Sequence, residues 1–286
     1  MPRRYSTRKR KFPRRARKFP RRGKFARRKG MTRRSIVDLC ATKKSDKQTL
    51  AVVQANGDVT SSQSIVVSVG SGSVQYLVSA ASYKERVNVP NEDARNRRQV
   101  YLKGIAERMR WESNDSGNPF IVRRLCVSGA PRVDLTGGID DPQLQQPTHI
   151  TVNGVSYIGL GKGPLTLNLA EVLMQGTYGI DWRDDINATV DRRRWKVHSD
   201  KTFTIKSNNA TEALFGRKCY DRINSTVTYD DEESGSNFTT SGWMSYSTQG
   251  HQQNVYIIYM VYNPNQLGGT MSPTVSVERT LYWHER

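Results

Sequence analysis

From about residue 35 onward, apolar and polar positions alternate in short stretches rich in β-branched and aromatic residues. Thr202-Phe-Thr-Ile-Lys206 and Thr274-Val-Ser-Val-Glu278 carry the period of two that marks a strand with one buried face. Tyr256–Tyr262 is apolar throughout, the pattern of a strand covered on both faces. The same reasoning predicts strands over Gln63–Val69, Val74–Ser79, Val100–Trp111, Phe120–Ser128, His149–Ile158, Trp195–Lys206, Cys219–Tyr229, Val255–Asn263 and Thr274–Trp283. Gly70-Ser-Gly72, Asn114-Asp-Ser-Gly117, Gly137-Gly138, Asn263-Pro264 and Gly268-Gly269 supply the turns between them. Only Leu165–Gln175 has helical spacing, through Leu165, Leu169, Val172 and Leu173. Many strands with one short loop helix predict an all-β fold, an eight-stranded jelly-roll β-sandwich, with a closed up-and-down barrel as the alternative.

Charge changes the picture at the other end of the chain. The 286 residues hold 45 Lys and Arg against 26 Asp and Glu, a net charge of +19. Residues 1–34 contain 18 of the cations and no acid, which leaves 27 basic side chains against all 26 acids in residues 35–286. The chain therefore divides into a polybasic arm, 1–34, and a nearly neutral body, 35–286, large enough for a single hydrophobic core. Cys40, Cys126 and Cys219 are far apart, with no C-x-x-C, so neither a zinc site nor a disulfide framework is expected. The longest apolar run, Tyr256–Tyr262, is far short of the roughly 20 residues of a membrane-spanning helix.

Within the arm the units KFPRR (Lys11–Arg15), KFPRR (Lys18–Arg22) and KFARR (Lys24–Arg28) repeat, each an aromatic flanked by cations. Pro13 and Pro20 interrupt any helix and like charges repel, so the free arm is expected to be extended and disordered. Its charge without acids calls for a polyanion. A membrane surface fits poorly, because no amphipathic apolar face accompanies the cations. Nucleic acid fits better: Arg and Lys neutralise phosphates, while aromatic rings stack on bases without reading sequence. The contacts expected on this basis are Arg3, Arg4, Arg8, Lys9, Arg10, Lys11, Phe12, Arg14, Arg15, Arg17, Lys18, Phe19, Arg21, Arg22, Lys24, Phe25, Arg27, Arg28, Lys29, Arg33 and Arg34. If each cation met one phosphate, the slope of log affinity against log salt on single strands would be roughly −13. Arg8–Lys11 and Arg14–Lys18 also have the composition of nuclear localisation signals.

Chemistry in the body is sparse. Neither G-x-S-x-G nor a P-loop occurs. Gly159-Leu-Gly-Lys-Gly163 is followed by proline rather than by a helix, and reads as a turn. The four histidines are scattered singly. No enzyme activity, cofactor or metal is expected. Asp230–Glu233 and Asp184-Asp185 read as solvated acidic turns, with pairing to a neighbouring subunit as the alternative. Asp191-Arg-Arg-Arg-Trp-Lys196 is the densest basic stretch of the body; as a strand it would place Arg192, Arg194 and Lys196 on one face and Arg193 and Trp195 on the other. With Lys43 and Lys44, the residues Arg192, Arg194, Trp195 and Lys196 extend the expected nucleic-acid contacts onto the body.

Five strings carry a resemblance to a family. MTRRSIVDLCATKK (Met31–Lys44), YLKGIAER (Tyr101–Arg108), RRLC (Arg123–Cys126), VTYDDEE (Val227–Glu233) and TLYWHER (Thr280–Arg286) resemble, in this order, segments of genomovirus coat proteins, which are related to geminivirus coat proteins. The resemblance implies a jelly-roll capsid protein of a small circular single-stranded DNA virus. It further implies a homo-oligomeric icosahedral shell around the DNA genome and entry into the host nucleus through import receptors; the residues themselves, as above, give no membrane partner. A non-viral nucleic-acid-binding module with a basic tail is the alternative.

Overall fold

The computed structural model describes residues 39–53, 59–60, 64–84, 86, 94–113, 118–129, 149–152, 155–163, 167–206, 213–229, 232–234, 237–240, 254–265 and 269–285. Eight long strands make the frame: β1 (Thr42–Val53), β4 (Val74–Ala80), β5 (Gln99–Ser113), β6 (Phe120–Gly129), β9 (Trp195–Ile205), β10 (Ala213–Thr228), β13 (Val255–Tyr262) and β14 (Thr274–Glu285). The other strands are β2 (Val59–Thr60), β3 (Ile65–Val66), β7 (His149–Val152), β8 (Val155–Gly163), β11 (Glu232–Ser234) and β12 (Asn237–Thr240); a helix, α1, spans Leu167–Leu173.

The strand pairing is nested. First pairs with last (β1 with β14), then β4 with β13, β5 with β10, and β6 with β9, all antiparallel. Further pairing of β14 with β5 and of β13 with β6 completes two four-stranded sheets, β10-β5-β14-β1 and β4-β13-β6-β9. This is the jelly-roll order, so the sandwich holds and the barrel is excluded. One edge is nevertheless closed: β8 runs parallel to β1 and antiparallel to β4, joining the two sheets. The glycine-rich segment Gly159–Gly163, expected to be a turn, is therefore strand. Pairing with β1 at Gly159 and Leu160 and with β4 from Gly161 to Gly163 overrides weak intrinsic propensity.

Alternation decides what each face meets. On β13, Val255, Ile257, Tyr259 and Val261 point into the space between the sheets, with Trp111, Phe120, Val275 and Trp283. Tyr256, Ile258 and Met260 point outward, yet they are equally buried, because α1 and the turns after it cover this sheet with Leu173, Met174, Trp182, Ile186 and Val190. Trp195 seals that third layer. Its indole Nε1 donates to the Val172 carbonyl at 3.0 Å, and its ring lies against Gly129, where a Cβ would stand 2.2 Å from ring carbons. Arg123, at the same interface, donates to both Asp200 carboxylate oxygens (3.0 and 2.7 Å) and to the carbonyls of Asp185, Ile186 and Ala188. Asp185 is no free surface acid, as the sequence reading had it; it is half-buried, accepts the Tyr76 hydroxyl, and is pushed upward in pKa by burial.

Arg123 and Arg124 point to opposite faces, and Arg124 enters the core. There it meets Glu107 (Nε to Oε2, 2.8 Å; Nη2 to Oε2, 2.5 Å) and Asp221 (Nη2 to Oδ2, 2.5 Å). Arg279 Nε donates to Glu107 Oε1 at 2.7 Å and its Nη2 to the Ser79 hydroxyl at 2.7 Å. Tyr259 donates to Glu107 at 2.9 Å and Ser199 to Asp221 at 2.5 Å. Two carboxylates, two guanidiniums and three hydroxyls thus come from seven of the eight long strands, and the ion-paired side chains are fully buried. Burial alone would raise the Glu107 carboxyl, but Arg279 and Arg124 outweigh it and hold it below its ordinary range.

Candidate nucleic-acid interface

The register defines two ends of the sandwich. The start of β1 lies beside the end of β14, which lies beside the start of β5 and thus the end of β10. In the other sheet the end of β4, the start of β13, the end of β6 and the start of β9 coincide. Tyr229 donates its hydroxyl to the Ser82 carbonyl, and Ser82 Oγ accepts from Val255 N, so these two groups of strand ends form one end of the molecule. The chain enters the body there, and the turn at residues 191–194 sits at the same end.

All arm residues proposed as contacts, Arg3 to Arg34, lie outside the described residues. Lys43 is exposed at the start of β1. Lys44 is not available for nucleic acid: its ammonium lies 3.1 Å from Glu285, donates to the Ala94 carbonyl at 2.8 Å and also bonds Asn96. The basic stretch needs a second correction. Residues 192–194 form a turn and β9 begins only at Trp195, so the strand alternation expected for Arg192 and Arg194 does not apply. The turn forms because Asp191, buried beneath it, accepts from Arg193 N at 2.9 Å, which with the neighbouring guanidiniums holds its carboxyl low. Arg192, Arg193, Arg194 and Lys196 are exposed, although Arg193 and Arg194 lie 3.3 and 3.4 Å from Asp191. Trp195 is core, at 1% exposure, and cannot stack on a base.

A larger set of cations, of which only Lys43 was expected from the sequence, lies on one sheet face. The outer face of β10-β5-β14-β1 presents Lys43, Lys47, Arg108, Arg110, Lys218 and Arg222, all exposed, against only Glu112 and Glu278. Arg108 stands directly opposite Lys218 in the β5–β10 ladder and opposite Glu278 in the β5–β14 ladder; the like-charge pairing with Lys218 is unfavourable. Arg110 is bonded to Glu112 at 2.7 Å, whereas Lys43, Lys47, Arg108, Lys218 and Arg222 make no ion pair among the described residues. Aromatics interleave: Tyr220 is 50% exposed, Tyr282 38%, and Lys103 Nζ lies 5.9 Å from the Tyr101 ring centroid. The Tyr220 hydroxyl rests over Gly104, where a Cβ would stand 2.5 Å from it, so the absent side chain lets the ring lie down along the sheet. The alternation in Arg108-Met-Arg110 and in Lys218-Cys-Tyr220-Asp-Arg222 was the available signal.

Ser128 Oγ and His198 Nε2 are 2.9 Å apart, but Asp221 is bonded instead to Ser199 and Arg124, and burial pushes His198 below its usual pKa. The three cysteines are free, Cys126 and Cys219 buried and Cys40 exposed. Among the described residues no cluster of three potential metal ligands occurs, and no helix is long and apolar enough to cross a membrane.

No protein-family model matches the chain, and no curated protein matches it. Among solved structures, the Merkel cell polyomavirus virus-like particle is 8% identical, covering 85% of this chain and 74% of that one, with a TM-score of 0.15. VP1 of the trichodysplasia spinulosa-associated polyomavirus is 9% identical, covering 86% and 79%, with a TM-score of 0.11. Superposition this slight carries no argument; the jelly roll rests on the strand pairing itself.

Proposed function

We propose that this chain is a capsid protein of the genomovirus type, which self-assembles into an icosahedral shell and packages circular single-stranded DNA through its basic arm. The observation that carries this reading is the segregation of charge: 18 cations without an acid precede a nearly neutral body that folds as a jelly roll. Jelly rolls with their broad sandwich edges serve as shell-building units in viral capsids. Assembly and packaging are coupled in this mechanism, because gathering many arms is repulsive until a polyanion enters. A shell of roughly sixty copies, the simplest closed icosahedral number, would bring about 1,100 arm charges, enough to offset on the order of a thousand phosphates. The virion and the host nucleus are the proposed locations, with import receptors reading Arg8–Lys11 and Arg14–Lys18.

The test is to express the full chain, treat it with nuclease and examine the product by electron microscopy and absorbance ratio. Uniform closed shells with protected DNA are expected. Small soluble species that bind any polyanion would instead favour a non-viral binding module with a basic tail.

The turn at 191–194 makes a second, smaller contribution. Changing Arg192, Arg194 and Lys196 together to Ala is expected to reduce protected DNA per particle while leaving the melting temperature unchanged, because all three side chains are exposed. DNA retention at the unmodified level would reduce this turn to ordinary surface charge.

A further inference from the structure

We propose that the outer face of the β10-β5-β14-β1 sheet is a docking surface for single-stranded DNA, distinct from the arm, and hence the face of the body that turns toward the shell's interior. The proposal rests on the packaging function above and adds to it a built surface and an orientation. Three observations carry it. Six exposed cations face two acids on one sheet surface of an otherwise balanced body. Arg108 and Lys218 are held directly opposite one another, and although Glu278 stands across from Arg108 on β14, neither cation makes an ion pair among the described residues, so an anion lying between them relieves the repulsion. The cations alternate with half-exposed rings: on β10 the order along the face is Lys218, Tyr220, Arg222, with Tyr220 laid over Gly104 and its ring open to solvent.

Each feature favours a single strand over the other possible occupants. Same-face residues on a strand are about 6.8 Å apart, so Lys218 and Arg222 bracket the ring with charge on both sides, and an unpaired base can lie on the ring while its phosphates meet the cations. A duplex offers phosphates but keeps its bases stacked on each other. An acidic protein surface would satisfy the charge and leave Tyr220 and Tyr282 without a role. Lys43, nine residues after Arg34 in the sequence, belongs to this face at the start of β1.

The experiment uses the full chain and a single-stranded oligodeoxynucleotide carrying 5-iododeoxyuridine, irradiated in the complex, with adducts mapped by mass spectrometry. Adducts are expected on Tyr220 and Tyr282 as well as on the arm. In the variant Arg108→Ala, Lys218→Ala and Arg222→Ala, the sheet adducts should disappear while the arm adducts persist. The salt slope for oligo(dT) should fall in magnitude by about 2, at 0.7 for each lost phosphate contact. Exchanging the same three positions between Arg and Lys should restore both readouts. Tyr220→Ala should weaken oligo(dT) binding roughly tenfold with an unchanged salt slope, the mark of lost stacking rather than lost charge. Adducts confined to the arm would overturn the docking surface and leave packaging intact. Failure of the full chain to bind the oligonucleotide at all would overturn the packaging reading itself. A triple variant that assembles poorly while its sheet adducts remain would identify this face as a contact between bodies, and would also overturn the proposal.

Discussion

Glu107→Ala is expected to destabilise the body by at least about 3–5 kcal/mol, the usual penalty for stranding a buried charge. Glu107 is the hub through which Arg124 and Arg279 are both neutralised, and its removal leaves Arg279 with only the Ser79 hydroxyl in this cluster. Domains commonly have about 5–15 kcal/mol in total, so the variant should be largely unfolded at 37 °C or recovered as aggregate. Urea denaturation followed by tryptophan fluorescence measures the loss, and a change below about 1 kcal/mol would show that the cluster is incidental. A compensated variant separates the buried charge from the packing around it. Replacing Glu107, Arg124, Asp221 and Arg279 together by apolar residues of similar volume should recover most of the stability, since such exchanges are often neutral or favourable. The pH dependence follows in sign. The folded carboxyl of Glu107 is depressed, so its contribution is fully present above the unfolded pKa of about 4.3. It is withdrawn as pH falls through the lower, folded value. Acid unfolding should therefore begin below about pH 4.3, and Glu107→Gln should lack that part of the acid transition.

Deletion of residues 1–34 should produce the largest functional loss: nuclease-protected DNA should vanish and the salt slope for oligo(dT) should drop by roughly 13 in magnitude. The body should still fold, because the core described above is drawn from residues between Ile65 and Trp283. Circular dichroism and thermal melting would verify this alongside the binding series. A companion variant with Phe12, Phe19 and Phe25 changed to Ala keeps every arm charge. It should bind more weakly with the slope unchanged, because only the stacking contribution is removed. If the truncated chain protects as much DNA as the full chain, packaging does not run through the arm.

The parts of the fold that the sequence disclosed are those where a single period dominates. Unbroken apolarity in Tyr256–Tyr262 marked β13 as buried on both faces, and β13, like β4 and β6 beside it, has the inter-sheet core on one side and the α1 layer on the other. β1 was overlooked because its first half, Thr42 to Gln48, is polar, and two of its buried residues are Asp46 and Gln48. A pattern that reads polar as exposed cannot see such a strand. The same rule hid the core cluster: Glu107, Arg124, Asp221 and Arg279 are scattered along the chain, and only the nested pairing brings them together. The arm was legible from composition alone. The body's basic surface was only half legible, because alternation tells which side chains share a face without telling which face meets solvent. Trp195 went the wrong way for a related reason: β9 begins at Trp195 as its pattern predicted, but the pattern did not show that the α1 layer covers the face on which Trp195 lies.

The nested order also sets a timetable for synthesis. Thr42 pairs with Glu285, and β14 must slide between β5 and β1 before the first sheet exists. With translation at about 5–20 residues per second, roughly 12–50 s separate the emergence of β1 from that of its partner. Through that interval the arm is already outside the ribosome while the body cannot close. On the packaging function proposed above, the first polyanion the arm would meet is the RNA of the translation machinery, and the choice of DNA as cargo would fall to a later exchange, after the last strand has been laid in place.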